Sequence, residues 1–275
     1  MQQFSGKTAF ISGGASGIGL ALAKALLAEG MNVAIADVEA AALERAQAEL
    51  GDSVLALQLD VTDRPAYAVA ADAAEARFGN IHLACNNAGV LCGGLRDAEP
   101  VDFDWVLGVN LMGVINGSMT FAPRLKAHGE GGHILNTVSI AGVLPGNSIY
   151  NISKSAAFAY TEGLHMTLAQ DGIGVSALCP GLVDTDLFTA ERNRPAHYQR
   201  QKPQPKPTQA QLDEGHRKRM PTMITAEFCA QRALDGIRND ELFIFTHPEL
   251  KAPVEARFKR ILAAMDGIPQ PTYMS

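Results

Sequence analysis

Seven short apolar runs, each separated from the next by a stretch of helical pattern, constrain this chain most. The runs are 8–12 (TAFIS), 32–37 (NVAIAD), 54–60 (VLALQLD), 82–87 (HLACNN), 133–139 (HILNTVS), 174–180 (GVSALCP) and 242–246 (LFIFT). They are continuously apolar rather than alternating, as strands are when both faces of a parallel sheet are covered. Helical patterns fill the intervals at 17–30, 39–50, 64–79, about 101–127, about 149–170, 226–237 and 248–265. Strict alternation of strand and helix predicts a doubly wound, Rossmann-like parallel α/β sheet of about seven strands with helices on both faces. The 275 residues suffice for a single such domain, and no repeat or linker divides them.

Composition narrows the partners. A net charge of −6 argues against a general nucleic-acid or acidic-membrane binder. No apolar run reaches about 18 residues, and the N-terminus MQQFSGKTAF lacks a signal-peptide core. Cys85, Cys92, Cys179 and Cys229 are widely spaced and make no metal-ligand pattern, so we expect buried free thiols, a cytoplasmic protein and no metal.

The first strand runs into the first helix through SGGASGIG (12–19), where Gly13, Gly17 and Gly19 form a G-x-x-x-G-x-G turn. Glycine lets a backbone turn tightly and approach a pyrophosphate, whose charge a helix N-terminus favours. Asp37 closes the second strand, 18 residues after Gly19. An acid there accepts hydrogen bonds from ribose hydroxyls and repels a 2′-phosphate; its other reading is a helix cap. No Arg or Lys lies in GGASG or directly after Asp37, so the expected cofactor is NAD. Asp60, ending the third strand, reads equally as an adenine-edge contact or a helix cap.

Between Gly131 and Thr161 the one charged residue is Lys154, four residues after Tyr150. Residues so spaced share a helix face. A fixed ammonium near a phenol favours the phenolate, lowering a pKa that starts near 10 and fitting the tyrosine for acid–base work. Alone, such a pair is more often a packed tyrosine with a solvated lysine.

In order along the chain, SGGASGIG (12–19), NNAG (86–89), GVN with Asn110, Ser139 before AG (141–142), YNISK (150–154) and PGLVDT (180–185) resemble a single-domain short-chain dehydrogenase/reductase over nearly the whole length. The resemblance implies hydride transfer between a nicotinamide and a secondary alcohol or ketone. Tyr150 would be the acid/base, Lys154 would lower its pKa and bind the ribose, Ser139 would polarise the carbonyl, and Asn110 would hold a water for a proton relay. The motifs further imply cofactor contacts from Ser16, Ile18, Val61, Asn87, Ala88, Gly89, Pro180, Gly181, Val183 and Thr185. Substrate would lie against Leu91, Cys92, Leu144, Asn147, Leu182 and Phe188, with Val90, Val143 and Leu187 nearby. This wall is mostly apolar, which suggests a hydrophobic or aryl substrate.

The chain departs from the family at two points. Position 12 is Ser rather than Thr. Ser139 precedes Tyr150 by 11 residues where about 13 is common; Thr137 has the commoner spacing, but Asn136 before and AG after favour Ser139. The loop 143–148 is then about two residues short. More loosely, 102–124 and 241–262 resemble bacterial Cα-dehydrogenases of lignin-derived aryl ethers. The alternatives are a hydroxysteroid or small-diketone dehydrogenase of the same family, or a non-catalytic NAD sensor, which would tend to lose the tyrosine or lysine. A nucleotide-sugar epimerase would need a G-x-x-G-x-x-G turn and a larger substrate domain.

The resemblance also implies a homodimer or homotetramer, paired through the helices at about 101–127 and 149–170 with Met112, Ile115, Phe121, Phe158, Tyr160 and Met166. Residues 188–222 carry eight Lys/Arg against three Asp/Glu and little apolar periodicity. We expect a mobile substrate lid there, with Arg192, Arg194 and Arg200 either keeping it solvated or steering an acidic substrate.

Overall fold

The structure, a computed structural model, describes residues 1–202 and 208–268. Its seven-stranded sheet has the order β3-β2-β1-β4-β5-β6-β7, with every adjacent pair parallel. The strands are β1 (Thr8–Ser12), β2 (Asn32–Asp37), β3 (Val54–Gln58), β4 (Leu83–Asn86), β5 (Gly132–Thr137), β6 (Ile173–Cys179) and β7 (Phe243–Phe245). All seven expected strands form, with ends shifted by a few residues.

Alternate residues of each strand feed two cores. Ile11, Ile35, Cys85, Leu135 and Leu178 pack with α1 (Gly17–Ala28), α2 (Ala40–Leu50) and, further along, α8 (Ala226–Arg238). Phe10, Ala34, Ala84, Ile134 and Val175 face α3 (Arg64–Phe78), α5 (Gly113–His128) and α6 (Ile149–Leu168). Burial on both faces is why the strands read as unbroken apolar runs. Strand order reverses between β1 and β4, where open α/β sheets bind ligands at their carboxyl ends.

The expected helix at about 101–127 is α4 (Pro100–Leu107), a π-turn over Gly108–Met112, then α5. This stretch, Pro100–His128, is long and apolar enough to span a membrane by length and composition, but half of the span is buried in the fold. Phe121 points into the core at 0% exposure, and Phe158 stacks on Phe243 at 5.1 Å. Met112 and Met166 are exposed.

The segment 188–222 is more structured than its sequence suggests. Short 3₁₀ turns cover Asp186–Asn193 and Ala196–Tyr198, and α7 covers Gln209–Arg219. Residues 203–207 lie outside those described. Helix α7 escapes apolar periodicity because none of its residues is buried; a Thr208/Gln211 capping box starts it instead. The last helix, α9 (Lys251–Ala263), likewise buries no residue.

Candidate active site

The carboxyl ends of β1 to β6 open into one cavity of about 580 Å³. Its walls include Gly13, Ser16, Gly17 and Ile18 from the β1–α1 turn, Asp37, Asp60 and Val61 from the next two strand ends, and Asn87, Ala88 and Gly89 after β4. Ser139, Tyr150, Lys154, Pro180, Gly181, Val183 and Thr185 close the other side.

Gly13 and Gly17 both hold positive φ (63° and 50°), which a side chain resists. Gly19 does not line the cavity; a Cβ there would lie 1.9 Å from the Gly13 carbonyl oxygen, so it lets α1 start against the turn. Ser16 caps α1 without a side-chain hydrogen bond, leaving N–H groups at the helix N-terminus for an anion. Asp37 accepts from the Ala15 N–H (3.2 Å) and the Glu39 N–H (3.1 Å) and keeps lone pairs for ribose hydroxyls. Burial raises its pKa. Asp60 does not cap α3: it accepts from Thr62 N and Oγ1 (2.9 and 2.8 Å), and Asp63 is the cap. These features fit a dinucleotide.

Asn87 ties the two halves together. Its Nδ2 donates to the Gly13 carbonyl (3.1 Å), its Oδ1 accepts from Thr137 Oγ1 (3.1 Å), and its N–H donates to Ser12 Oγ (3.1 Å). The serine at position 12 therefore supplies the hydroxyl this join needs. Thr137 spends its hydroxyl on Asn87. The Ser139 Oγ donates to the Pro180 carbonyl (3.3 Å) and accepts from the Ala141 N–H (3.1 Å).

Lys154 is 2% exposed and donates from Nζ to the Thr137 carbonyl (2.7 Å). Nζ lies 5.7 Å from the centre of the Tyr150 ring. Burial pulls the Lys154 pKa down to about 8. Burial also pushes Tyr150 up to about 12, against the opposing Ser139 hydrogen bond. Burial therefore works against the lowering of the phenol pKa expected from the lysine. Desolvation outweighs the Ser139 hydrogen bond.

A pH prediction follows from Lys154. Between its folded pKa of about 8 and the ordinary 10.5, the unfolded chain holds a proton that the folded chain has released. Its destabilising contribution is therefore full below pH 8 and fades as pH rises towards 10.5. From pH 7.5 to 9.5, ligand-free wild type should gain roughly 2 kcal/mol relative to Lys154→Met. Urea denaturation of both proteins checks this, and parallel pH curves would contradict it.

Asn110, 0% exposed, does not face the cavity. Its Oδ1 accepts from the Val90 N–H (2.8 Å), and its Nδ2 donates to the Val90 carbonyl (2.9 Å) and Ser153 Oγ (3.0 Å). This side chain clamps Val90 to α6.

On the substrate side, Val90, Leu91, Leu144, Leu182, Leu187 and Phe188 line the cavity. Cys92 and Asn147 do not. Cys92 packs behind the wall with Trp105 and Ile149. Asn147 is exposed, and its carbonyl accepts from the Leu95 N–H (2.9 Å) as the shortened loop pairs with residues 94–95. Trp105, Tyr198 and Leu250 line the cavity unannounced by any motif.

Arg192, Arg194 and Arg200 are all engaged in ion pairs. Arg194 and Arg200 both reach the buried Asp102 carboxylate (3.0 and 2.7 Å), and Arg194 stacks on Trp105 at 4.1 Å. Arg192 pairs with Glu39 at 2.8 Å.

Comparison with known proteins agrees with this geometry. The family described as short chain dehydrogenase matches residues 7–196. The C alpha-dehydrogenase of Sphingobium sp. is 37% identical, with 98% of this chain and 91% of that protein covered. A short chain dehydrogenase/reductase from Burkholderia phymatum, solved in complex with NAD, superposes with a TM-score of 0.88 at 36% identity, covering 99% and 100% of the two chains. The apo form of LigD from Sphingobium sp. gives 0.79 at 33%, covering 98% and 100%. The chain belongs to the short-chain dehydrogenase/reductase family of oxidoreductases.

Proposed function

We propose that this protein transfers a hydride between NAD and the carbinol carbon of a neutral, largely apolar secondary alcohol, or runs the reverse reaction on its ketone. The observation that carries this reading is the meeting of Ser139, Tyr150 and Lys154 with the glycine turn and Asp37 in one cavity.

Gly13, Gly17 and the α1 N-terminus would hold the pyrophosphate, Asp37 the adenosine ribose, and Lys154 the nicotinamide ribose. Bound NAD supplies the hydride acceptor and a positive charge. That charge, with Lys154, favours the Tyr150 phenolate that burial alone disfavours. In oxidation Tyr150 takes the hydroxyl proton; in reduction it gives one to the carbonyl oxygen. Ser139 donates a hydrogen bond to that oxygen as charge develops. Ser139→Ala should lower kcat more than Thr137→Ala, and steady-state rates for the two variants check the assignment.

The substrate wall of Leu, Val and Phe side chains, with Trp105 and Tyr198, supports a hydrophobic or aryl substrate, as does the likeness to the C alpha-dehydrogenase. The pairing of all three lid arginines supports a neutral one. Initial rates of NAD reduction across benzylic, steroidal, aliphatic and carboxylate-bearing secondary alcohols test this. Neutral benzylic alcohols should lead, and a carboxylate-bearing alcohol turning over fastest would overturn the neutral-substrate reading.

The four buried free thiols support a reducing, cytoplasmic setting. Exposed Met112 and Met166 on the two long helices support a homodimer or homotetramer.

A further inference from the structure

Arg192 belongs to the lid, yet its side chain lines the same cavity as Asp37 and Gly13. It lies 153 residues along the chain from its partner Glu39, two positions after Asp37. The pairing is forked: Arg192 Nη2 donates to Glu39 Oε1 (2.8 Å) and Nε to Oε2 (3.4 Å). Asn193 Nδ2 adds a bond to Oε1 (2.6 Å). Arg192 Nη1 is fixed from the other side by the Asp186 carbonyl (3.0 Å) and Thr189 Oγ1 (2.9 Å). Partial burial pushes the Glu39 carboxyl up, but the bonds from Asn193 and Arg192 outweigh it and hold its pKa below the usual value. The guanidinium is therefore held in place and neutralised.

The sequence around Asp37 offers no cation to a 2′-phosphate, but the fold brings one there. We propose that Glu39 is a cofactor-specificity residue: by occupying Arg192 it withholds a guanidinium that could bind the 2′-phosphate of NADP. A guanidinium fork binds phosphate as readily as carboxylate, so Glu39 stands where that phosphate would compete. Asp37 then repels the 2′-phosphate directly, while Glu39 acts by removing its partner. This deepens the NAD reading above and rests on it.

Calorimetric binding of NAD+ and NADP+ tests the inference without turnover. Wild type should bind NADP+ at least tenfold more weakly than NAD+. In Glu39→Gln the NADP+ affinity should rise about tenfold, while Asp37 keeps NAD+ preferred. The gain should vanish in Glu39→Gln/Arg192→Gln. If both variants gain equally, Glu39 acts by its own charge and the role given to Arg192 is wrong. No gain in Glu39→Gln also overturns the inference, while leaving the NAD reading intact. A wild type that binds neither dinucleotide overturns that reading, and the inference with it.

Discussion

Tyr150→Phe is expected to lower kcat by at least about a hundredfold while NAD binding persists. The substitution removes the one transferable proton and keeps the ring that fills the cavity wall. A hundredfold is the low end for lost general acid–base catalysis. Neither neighbour replaces the phenol. Lys154 Nζ is committed to the Thr137 carbonyl at 2.7 Å, and the Ser139 hydroxyl touches the Pro180 carbonyl and the Ala141 N–H. Steady-state kinetics paired with NAD titration separates the two effects. Near-normal turnover would remove Tyr150 from the chemistry, and lost NAD binding would make it a cofactor residue first.

Asp102→Asn should release the lid. Asp102 is 0% exposed; its Oδ2 accepts from the Glu99 N–H (2.8 Å) at the start of α4, and its Oδ1 meets Arg194 and Arg200. The side chains of those arginines are 3% and 8% exposed. Without the carboxylate, two guanidinium groups lose their shared anion in a place shielded from water. Breaking a buried pair this way costs about 3–5 kcal/mol. Detachment of the segment 188–202 lets the arginines reach water and relieves that cost. Trypsin should then cut after Arg200 in the variant, whereas wild type should be cut first at the exposed Arg217–Lys218 end of α7. The same first cuts and the same Tm in both proteins would show that Asp102 does not anchor the lid.

The sheet was legible in the sequence because both of its faces are buried. Phe10 serves one core and Ile11 the other, so the middle of each strand is mostly apolar and the run stands out. The dinucleotide turn and the Tyr150/Lys154 pair were legible because their spacing is local: a tight turn or one helix face fixes it. What stayed hidden was non-local. Asp102, Arg194 and Arg200 look like surface charges, and only folding places them together in a dry site. The Arg192–Glu39 contact joins residues 153 apart, which no local pattern records. The bonds of the Asn110 amide to Val90 and Ser153 stayed hidden as well, because a motif names a residue and not its partners. Cys92 and Asn147 are neighbours of wall residues in sequence, but one packs behind the wall and the other turns outward.

Hydride transfer itself is the central claim, and isotope tracing tests it most directly. The purified protein would be given NAD+ and a neutral benzylic secondary alcohol carrying deuterium on its carbinol carbon, and the nicotinamide examined by proton NMR. The account predicts ketone and reduced cofactor in equal amounts, with the deuterium retained at C4 of the reduced ring and both products nearly absent with Tyr150→Phe. Ketone formed without reduced NAD, or reduced NAD whose new hydrogen comes from water, would contradict it.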